Sequence, residues 1–301
     1  MAEQVTAEQV GVVGLGGMGS GMASRLLDQG VRVAVFNRTA AAADALVARG
    51  ARRAGTPADA AAPDGVVISM VANDAALEAV SDGPDGVLSR LGPNGVHVSM
   101  STISAELARS LAARHQARGS LFVAAPVFGR PDAAAAGRLW ILQSGTSAAK
   151  ARVRPVLEAL SQGIADAGEA ADAAPIGKIA GNFLIAAAME AMSEAFALLE
   201  KSGVDGRAWH DLMAKSLFAC PIYANYGRFI LDRAFTPPGF RLVLGAKDVG
   251  LALSTGKEKQ VPLPFASVLN DRFLAALAQG RGEMDWTSIA LNAVADAGLK
   301  P

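Results

Sequence analysis

Between residues 9 and 145 the chain alternates short apolar runs with stretches of helical character. The runs read "QVGVVG", "VRVAVF", "GVVISM", "GVHVSM", "LFVAAP" and "LWILQSG". Rich in Val and Ile and bounded by turn formers, they predict strands buried on both faces. Ala-rich segments such as "AAAADALVARG" and "SAELARSLAARHQARG" separate most of them and favour helix. Strands alternating with helices predict an α/β fold built on a doubly wound, mostly parallel sheet. After about residue 147 the pattern is almost wholly helical. A long helix is expected from about Pro175 to Ser202, with Pro175 in its first turn and Gly203 just beyond its end. It would be roughly 40 Å long. Its middle, "FLIAAAMEAMSEAFALL", is apolar nearly all round and needs cover on most sides. One small domain hardly supplies that cover, so a partner subunit is expected. The division expected is a sheet domain at 1–172, then at 173–301 the long interdomain helix with an all-helical domain.

Composition narrows the picture. A chain of 301 residues suggests two domains at about 150 residues each. With 51% of residues apolar and 19% charged, the chain can build a large core, and the composition argues against disorder. Lys plus Arg and Asp plus Glu both number 28, which argues against nucleic acid and against a charged membrane surface as partners. The single Cys220 cannot form an internal disulfide, consistent with a reducing compartment. "MAEQVTAEQV" lacks the pattern of a signal peptide. The apolar segment near 183–199 is broken by Glu190, Ser193 and Glu194, so no membrane span is expected. The expectation is a cytoplasmic protein without a bound metal.

The stretch "GVVGLGGMGSGMASRLLDQG" changes the picture most. Gly14, Gly16 and Gly19 stand in the pattern G-x-G-x-x-G, after the strand at 9–13 and opening a helix near Met18. Gly14 permits a tight turn, Gly16 lets backbone approach a pyrophosphate, and Gly19 lets helix and strand pack closely. Three glycines alone are weak evidence; the strand–loop–helix–strand context makes this a Rossmann-type dinucleotide site, with Gly17 and Met18 completing the loop.

Next comes "AVFNRT" (34–39), the end of the second strand. An acidic residue that holds the adenosine ribose 2′-hydroxyl belongs about 20 residues after the loop, yet Asn37 stands there, followed by Arg38 and Thr39. Asn37 removes the repulsion a carboxylate would exert on a 2′-phosphate. Arg38 supplies a planar charged fork and Thr39 a hydroxyl donor. NADP(H) is therefore expected as cofactor; the competing reading is that Arg38 merely lies on the adenine face.

With that loop, "SMSTIS" (99–104), "AAPVFGRPDAAAAGRL" (124–139), "GKIAGN" (177–182) and "AKDVGLAL" (246–253), the chain resembles the β-hydroxyacid dehydrogenase family, which includes 3-hydroxyisobutyrate dehydrogenase and glyoxylate/succinic semialdehyde reductases. The resemblance covers nearly the whole chain, with motifs in the family's order. It implies a Rossmann domain, a long interdomain helix, a helical C-terminal domain, a homodimer or homotetramer, and a site in the cleft between domains. It places Lys178 and Asn182 at the catalytic motif, Val71 and Thr102 beside the nicotinamide, and Lys247 in the family's Lys-Asp pair. Ser101, Phe128, Gly129 and Arg130 fall at the substrate.

The residues support the chemistry independently. Lys178 and Asn182, at i and i+4, share one helical face. Lys178 is the only cation between Arg154 and Lys201, and partial burial would lower its pKa and help it exchange a proton near neutral pH. As ammonium it would donate to a carbonyl oxygen while a nicotinamide delivers hydride to carbon. Without the resemblance, an ordinary surface Lys is the commoner case. The three Trp and three His residues have no motif around them and are read as packing or surface positions.

Where the family usually reads Asp-Ala-Pro-Val-Ser-Gly-Gly, this chain has Ala124-Ala-Pro-Val-Phe-Gly-Arg130, and Ser99 replaces an Asp before "MST". Phe128 exchanges a hydroxyl for an apolar ring. Arg130 has two readings, an anion contact or a pair with Asp132. A less polar aldehyde, ketone or cyclic imine becomes a candidate substrate. Three functions are therefore carried forward: an NADPH-dependent reductase of small carbonyl compounds acting reversibly, an imine reductase, and an NADP-binding module without turnover. Imine reductases commonly carry Asp or Tyr at the Lys178 position, which favours the first.

Overall fold

The Val- and Ile-rich runs form strands, as β-branched side chains on a pleated surface should. In the computed structural model, which describes residues 9–300, these are β1 (Gln9–Val13), β2 (Arg32–Phe36), β3 (Arg52–Arg53), β4 (Val66–Ser69), β5 (Val96–Ser99) and β6 (Leu121–Ala124). They form one sheet in the order β3-β2-β1-β4-β5-β6 with every pairing parallel. Helices such as Gly17–Asp28, Asp74–Ser81 and Ala105–Ala117 make the connections. β4 and β5 are buried at every residue, which accounts for their Val- and Ile-rich character, with His97, Ser69 and Ser99 the polar exceptions. Strand order reverses between β1 and β4, so their carboxyl ends flank the switch point where sheets of this type bind ligands.

One expectation is corrected. The run at 139–145 does not join the large sheet. It forms β8 (Leu139–Gln143) of a separate three-stranded sheet, between antiparallel β7 (Val127–Phe128) and parallel β9 (Ser161–Asp166). After 147 the chain is helical as expected apart from β9. β9 reads "SQGIAD", polar and at best half-buried, and it is held by its pairing with β8. Buried Lys150 adds a grip on the Asp166 carboxylate at 2.7 Å.

Two histidines lie fully inside this first unit. His97, at the centre of β5, places Nε2 2.8 Å from Ser69 Oγ and Nδ1 3.0 Å from His115 Nε2. His115 Nδ1 lies 2.8 Å from Ser120 Oγ, whose hydroxyl donates onward to the His115 carbonyl at 3.4 Å. With that hydroxyl hydrogen on the carbonyl, the chain runs one way. Ser69 donates to His97, His97 donates through Nδ1 to His115, and His115 donates through Nδ1 to Ser120. Phe122 covers both rings, stacking on His115 and meeting His97 edge-on. Burial holds His97 down to about 3. Burial, then the charges of His97, Arg114 and Arg118, hold His115 down to about 2.

The long helix spans Ala173–Lys201, starting two residues before Pro175. Ser144, beyond the end of β8, sets that start by accepting the Ala174 N–H at 3.1 Å. The helix is long and apolar enough to cross a membrane by length and composition, with a mean hydropathy of 1.4, yet half of that window is buried. Its Glu190 is buried and gripped by Arg272 at 2.5 Å, as in a core helix rather than a membrane span. The chain divides into its two units within this helix, after Lys178.

The second unit, from Ile179 on, is helical: the rest of the long helix with Gly206–Lys215, Pro221–Leu231, Leu242–Glu258, Pro264–Ala278 and Ala290–Asp296. Met189, Met192, Phe196, Leu242, Leu269, Phe273 and Trp286 make its core. Arg272 also bonds Asp296, closing a triad around Glu190. Leu184 (65%) and Leu198 (68%) on the long helix remain exposed, as do Phe265 and Val268 on Pro264–Ala278.

Candidate functional site

The glycine loop follows β1 into the helix Gly17–Asp28. Gly14 has φ +94, and a Cβ there would lie 2.3 Å from the Met70 carbonyl oxygen; one on Gly19 would lie 1.9 Å from the Gly14 carbonyl oxygen. A side chain at either place would push the loop off the ends of β1 and β4. A Cβ on Gly16, in contrast, would meet nothing within 4 Å. The helix start has no side-chain cap and no acidic residue in its first turn. Its Gly17, Met18 and Gly19 amides thus present an uncontested positive helix end, which fits the pyrophosphate of a dinucleotide.

Asn37 is half-buried and has a role the sequence did not reveal. Its Oδ1 accepts the Leu15 N–H at 3.0 Å, and its Nδ2 donates to the Thr39 carbonyl at 3.0 Å. It thereby joins the glycine loop to the end of β2. Arg38 and Thr39 are exposed next to it. Val71, after β4, lies against Gly14, and its N–H donates to Ser101 Oγ at 2.8 Å. Ser101 is almost fully buried, so its hydroxyl ties the two strand ends together. Thr102 follows it, half-buried.

Phe128 ends β7, Gly129 follows it, and Arg130 is the N-cap of the short helix Pro131–Ala135. This segment adjoins the loop, since a Cβ on Gly17 would meet Pro131 Cγ at 3.2 Å. Gly177 lets the start of the long helix lie on β8, where a Cβ would come within 2.5 Å of Leu142. Lys178 then sits beside β7. It is 7% exposed, and its Nζ lies 4.0 Å from the centroid of the Phe128 ring. The surface-Lys alternative fails here.

Asn182, one turn further along the same helix, is buried and donates from Nδ2 to Asp248 Oδ2 at 2.5 Å. Asp248, 1% exposed on the helix Leu242–Glu258, also pairs through Oδ1 with Lys247 Nζ at 2.9 Å. A buried carboxylate thus fixes the rotamer of Asn182 and holds a lysine. The sequence singled out Lys247 and passed over Asp248. The available signal was spacing: Gly245, Asp248, Ala252 and Gly256 recur on the buried face of their helix. Among the described residues, no group of three or more His, Cys, Asp or Glu could hold a metal ion.

A buried lysine against Phe128, on the segment that adjoins the glycine loop, is an arrangement suited to hydride transfer coupled to proton transfer. Comparison with known proteins supports an NAD(P)-dependent oxidoreductase. Residues 9–168 match the NAD binding domain of 6-phosphogluconate dehydrogenase, and residues 173–292 match the NAD-binding region of NADP-dependent 3-hydroxyisobutyrate dehydrogenase. An uncharacterized oxidoreductase of Bacillus subtilis, YfjR, is 41% identical over 93% of this chain and 98% of its own length. Among solved structures, 3-hydroxyisobutyrate dehydrogenase from Salmonella typhimurium is 29% identical with a TM-score of 0.86, over 95% of this chain and 99% of that one. A reductive aminase from Aspergillus terreus, in complex with NADPH and ethyl levulinate, is 27% identical with a TM-score of 0.61, over 95% and 99%. With a fold, a dinucleotide loop and family matches that agree along almost its entire length, the chain belongs to the β-hydroxyacid dehydrogenase family of NAD(P)-dependent oxidoreductases.

Proposed function

We propose that this protein is an NADPH-dependent reductase of small aldehydes, ketones or keto acids, reversible in principle, with Lys178 as proton donor. The observation that carries the reading is the buried Lys178 ammonium, one helical turn from an Asn182 held by Asp248. Gly14, Gly16, Gly17, Met18 and Gly19 would hold the pyrophosphate, with Val71, Thr102 and Lys247 toward the nicotinamide. When bound there, NADPH would supply a hydride to the carbonyl carbon. As the C–H bond forms, the carbonyl π pair moves to oxygen. Lys178 gives one N–H proton to that oxygen, and the neutral amine left behind is reprotonated from solvent. Asn182 orients the substrate oxygen toward that proton.

The 2′-phosphate is assigned to Arg38 and Thr39, with Asn37 keeping a carboxylate out of reach. A charge-assisted hydrogen bond of about 1.5–3 kcal/mol corresponds to roughly 10- to 150-fold preference over NADH. A homodimer or homotetramer accounts for the exposed Leu184, Leu198, Phe265 and Val268. Phe128, where a hydroxyl would serve a charged substrate, favours weakly polar carbonyls, with Gly129 and Arg130 beside it. Imine reduction is the second reading, favoured by that same ring and by the likeness to a reductive aminase.

One panel tests this: NADPH oxidation with glyoxylate, succinic semialdehyde, simple ketones and a cyclic imine, for wild type and Lys178→Ala, with NADPH affinity measured by fluorescence. Carbonyl turnover that collapses in the variant while affinity persists is the expected result. Imine turnover untouched by the substitution would establish the second reading instead.

A further inference from the structure

The contact between Lys178 and Phe128 has consequences beyond burial. A buried amine loses hydration, which disfavours its charged form, so an ammonium at 7% exposure needs compensation. The face of an aromatic ring supplies part of it, because its negative quadrupole attracts a cation within about 6 Å of the centroid. Here the distance is 4.0 Å. The ring is fixed as well. Phe128 pairs across the sheet with Trp140 of β8, and Gly177 seats the helix start against Leu142 of the same strand. Ring and amine are therefore both anchored to β8. The ring face attracts the ammonium and has no comparable attraction for the neutral amine, and it offers no hydrogen bond to a carboxylate.

We propose that Phe128 is a positioning residue that holds Lys178 as the ammonium and turns it into a dedicated donor, biasing the enzyme toward reduction of uncharged carbonyl groups. The proposal rests on the reading of Lys178 as proton donor. In a reduction the ring then helps twice. It keeps the lysine loaded before the step, and it blocks one side of Nζ so that the remaining N–H bonds point elsewhere.

The experiment separates the contact from its use. In the resting protein, without cofactor, the pH dependence of Lys178 labelling by an amine-specific reagent is followed by peptide mass spectrometry for wild type, Phe128→Leu and Phe128→Tyr. Leu keeps the apolar bulk and removes the π face; Tyr keeps both. The labelling midpoint of Phe128→Leu is expected about 0.5 to 1 pH unit lower, a three- to tenfold change in ammonium occupancy, with Phe128→Tyr restored to wild type. The basic limb of kcat/KM for ketone reduction should move down by the same amount, while NADPH affinity stays within twofold. Coincident midpoints for Leu and wild type, or a Tyr variant displaced as far as Leu, would overturn the proposal. A midpoint that moves while Lys178→Ala retains turnover leaves the contact standing and refutes the donor reading beneath it.

Discussion

Acid should unfold this protein through two histidines that never meet solvent. His97 and His115 are buried in a one-way chain from Ser69 to Ser120, and each ring already uses its single N–H as a donor. A further proton would set two N–H groups head to head. In the unfolded chain both rings take a proton near pH 6.5, whereas in the fold burial depresses them to about 3 and about 2. The unfolded state thus binds more protons below pH 6.5, so stability falls as the pH drops from there toward 3. The slope is about 1.4 kcal/mol per pH unit for each histidine, and between pH 8 and pH 5 each contributes a loss of about 2 kcal/mol. A combined loss of about 4 kcal/mol is a large fraction of a typical unfolding free energy of about 5–15 kcal/mol. The assay is urea unfolding followed by circular dichroism at pH 8 and pH 5, for wild type and His97→Asn/His115→Asn. The variant starts less stable at pH 8, having lost packing and hydrogen bonds. Its further loss on acidification should be smaller than the wild type's by about 4 kcal/mol. Equal losses in the two proteins would show that the histidines are not held neutral.

Other expectations follow from the same geometry. Arg38→Ala should raise the KM for NADPH by roughly 10- to 150-fold and leave that for NADH within twofold; equal effects in steady-state kinetics would dismiss the 2′-phosphate assignment. Asp248→Asn should lower kcat by roughly 10- to 150-fold, since Asn182 and Lys247 both lose a charged partner, with NADPH affinity little changed; an unaltered kcat would remove Asp248 from the machinery. Arg272→Ala should destabilise the second unit by about 3–5 kcal/mol, because Glu190 would keep its burial without its partner; Arg272→Met with Glu190→Leu should recover most of that in thermal melts. Leu184→Asp with Leu198→Asp should yield a monomer by sedimentation velocity, and an unchanged assembly would locate the subunit contact elsewhere.

Legibility in the sequence followed the range of the forces at work. β1, β2, β4, β5 and β6 announce themselves because each is largely buried on both faces and so is rich in apolar, mostly β-branched residues. The glycine loop is equally plain, since backbone sterics permit few alternatives. β9 is different. Its polar residues become a strand only because β8, some 20 residues earlier, offers a ladder, and no local pattern encodes that. The start of the long helix depends on Ser144, 30 residues upstream, rather than on a neighbouring cap. The candidate site divides in the same way. Lys178 and Asn182 could be paired by helical spacing, whereas the Asn182–Asp248 bond crosses 66 positions and the Phe128 contact crosses 50. His97 and His115, read as packing or surface positions, are packed inside, and their hydrogen-bonded relay, invisible to local sequence, requires β4, β5 and a helix at once.

The two hydrogen bonds of Asn37 explain why an amide suits this corner. One end accepts from Leu15 and the other donates to Thr39. Aspartate could keep the first bond but would face the Thr39 carbonyl with a second acceptor, so lone pairs would oppose one another and the 37–39 turn would loosen. Exchanging the preferred coenzyme by protein engineering therefore needs more than restoring the acid. The turn must be rebuilt along with it, for instance by shortening or reshaping the backbone after β2, before an Asn37→Asp change can hold a ribose.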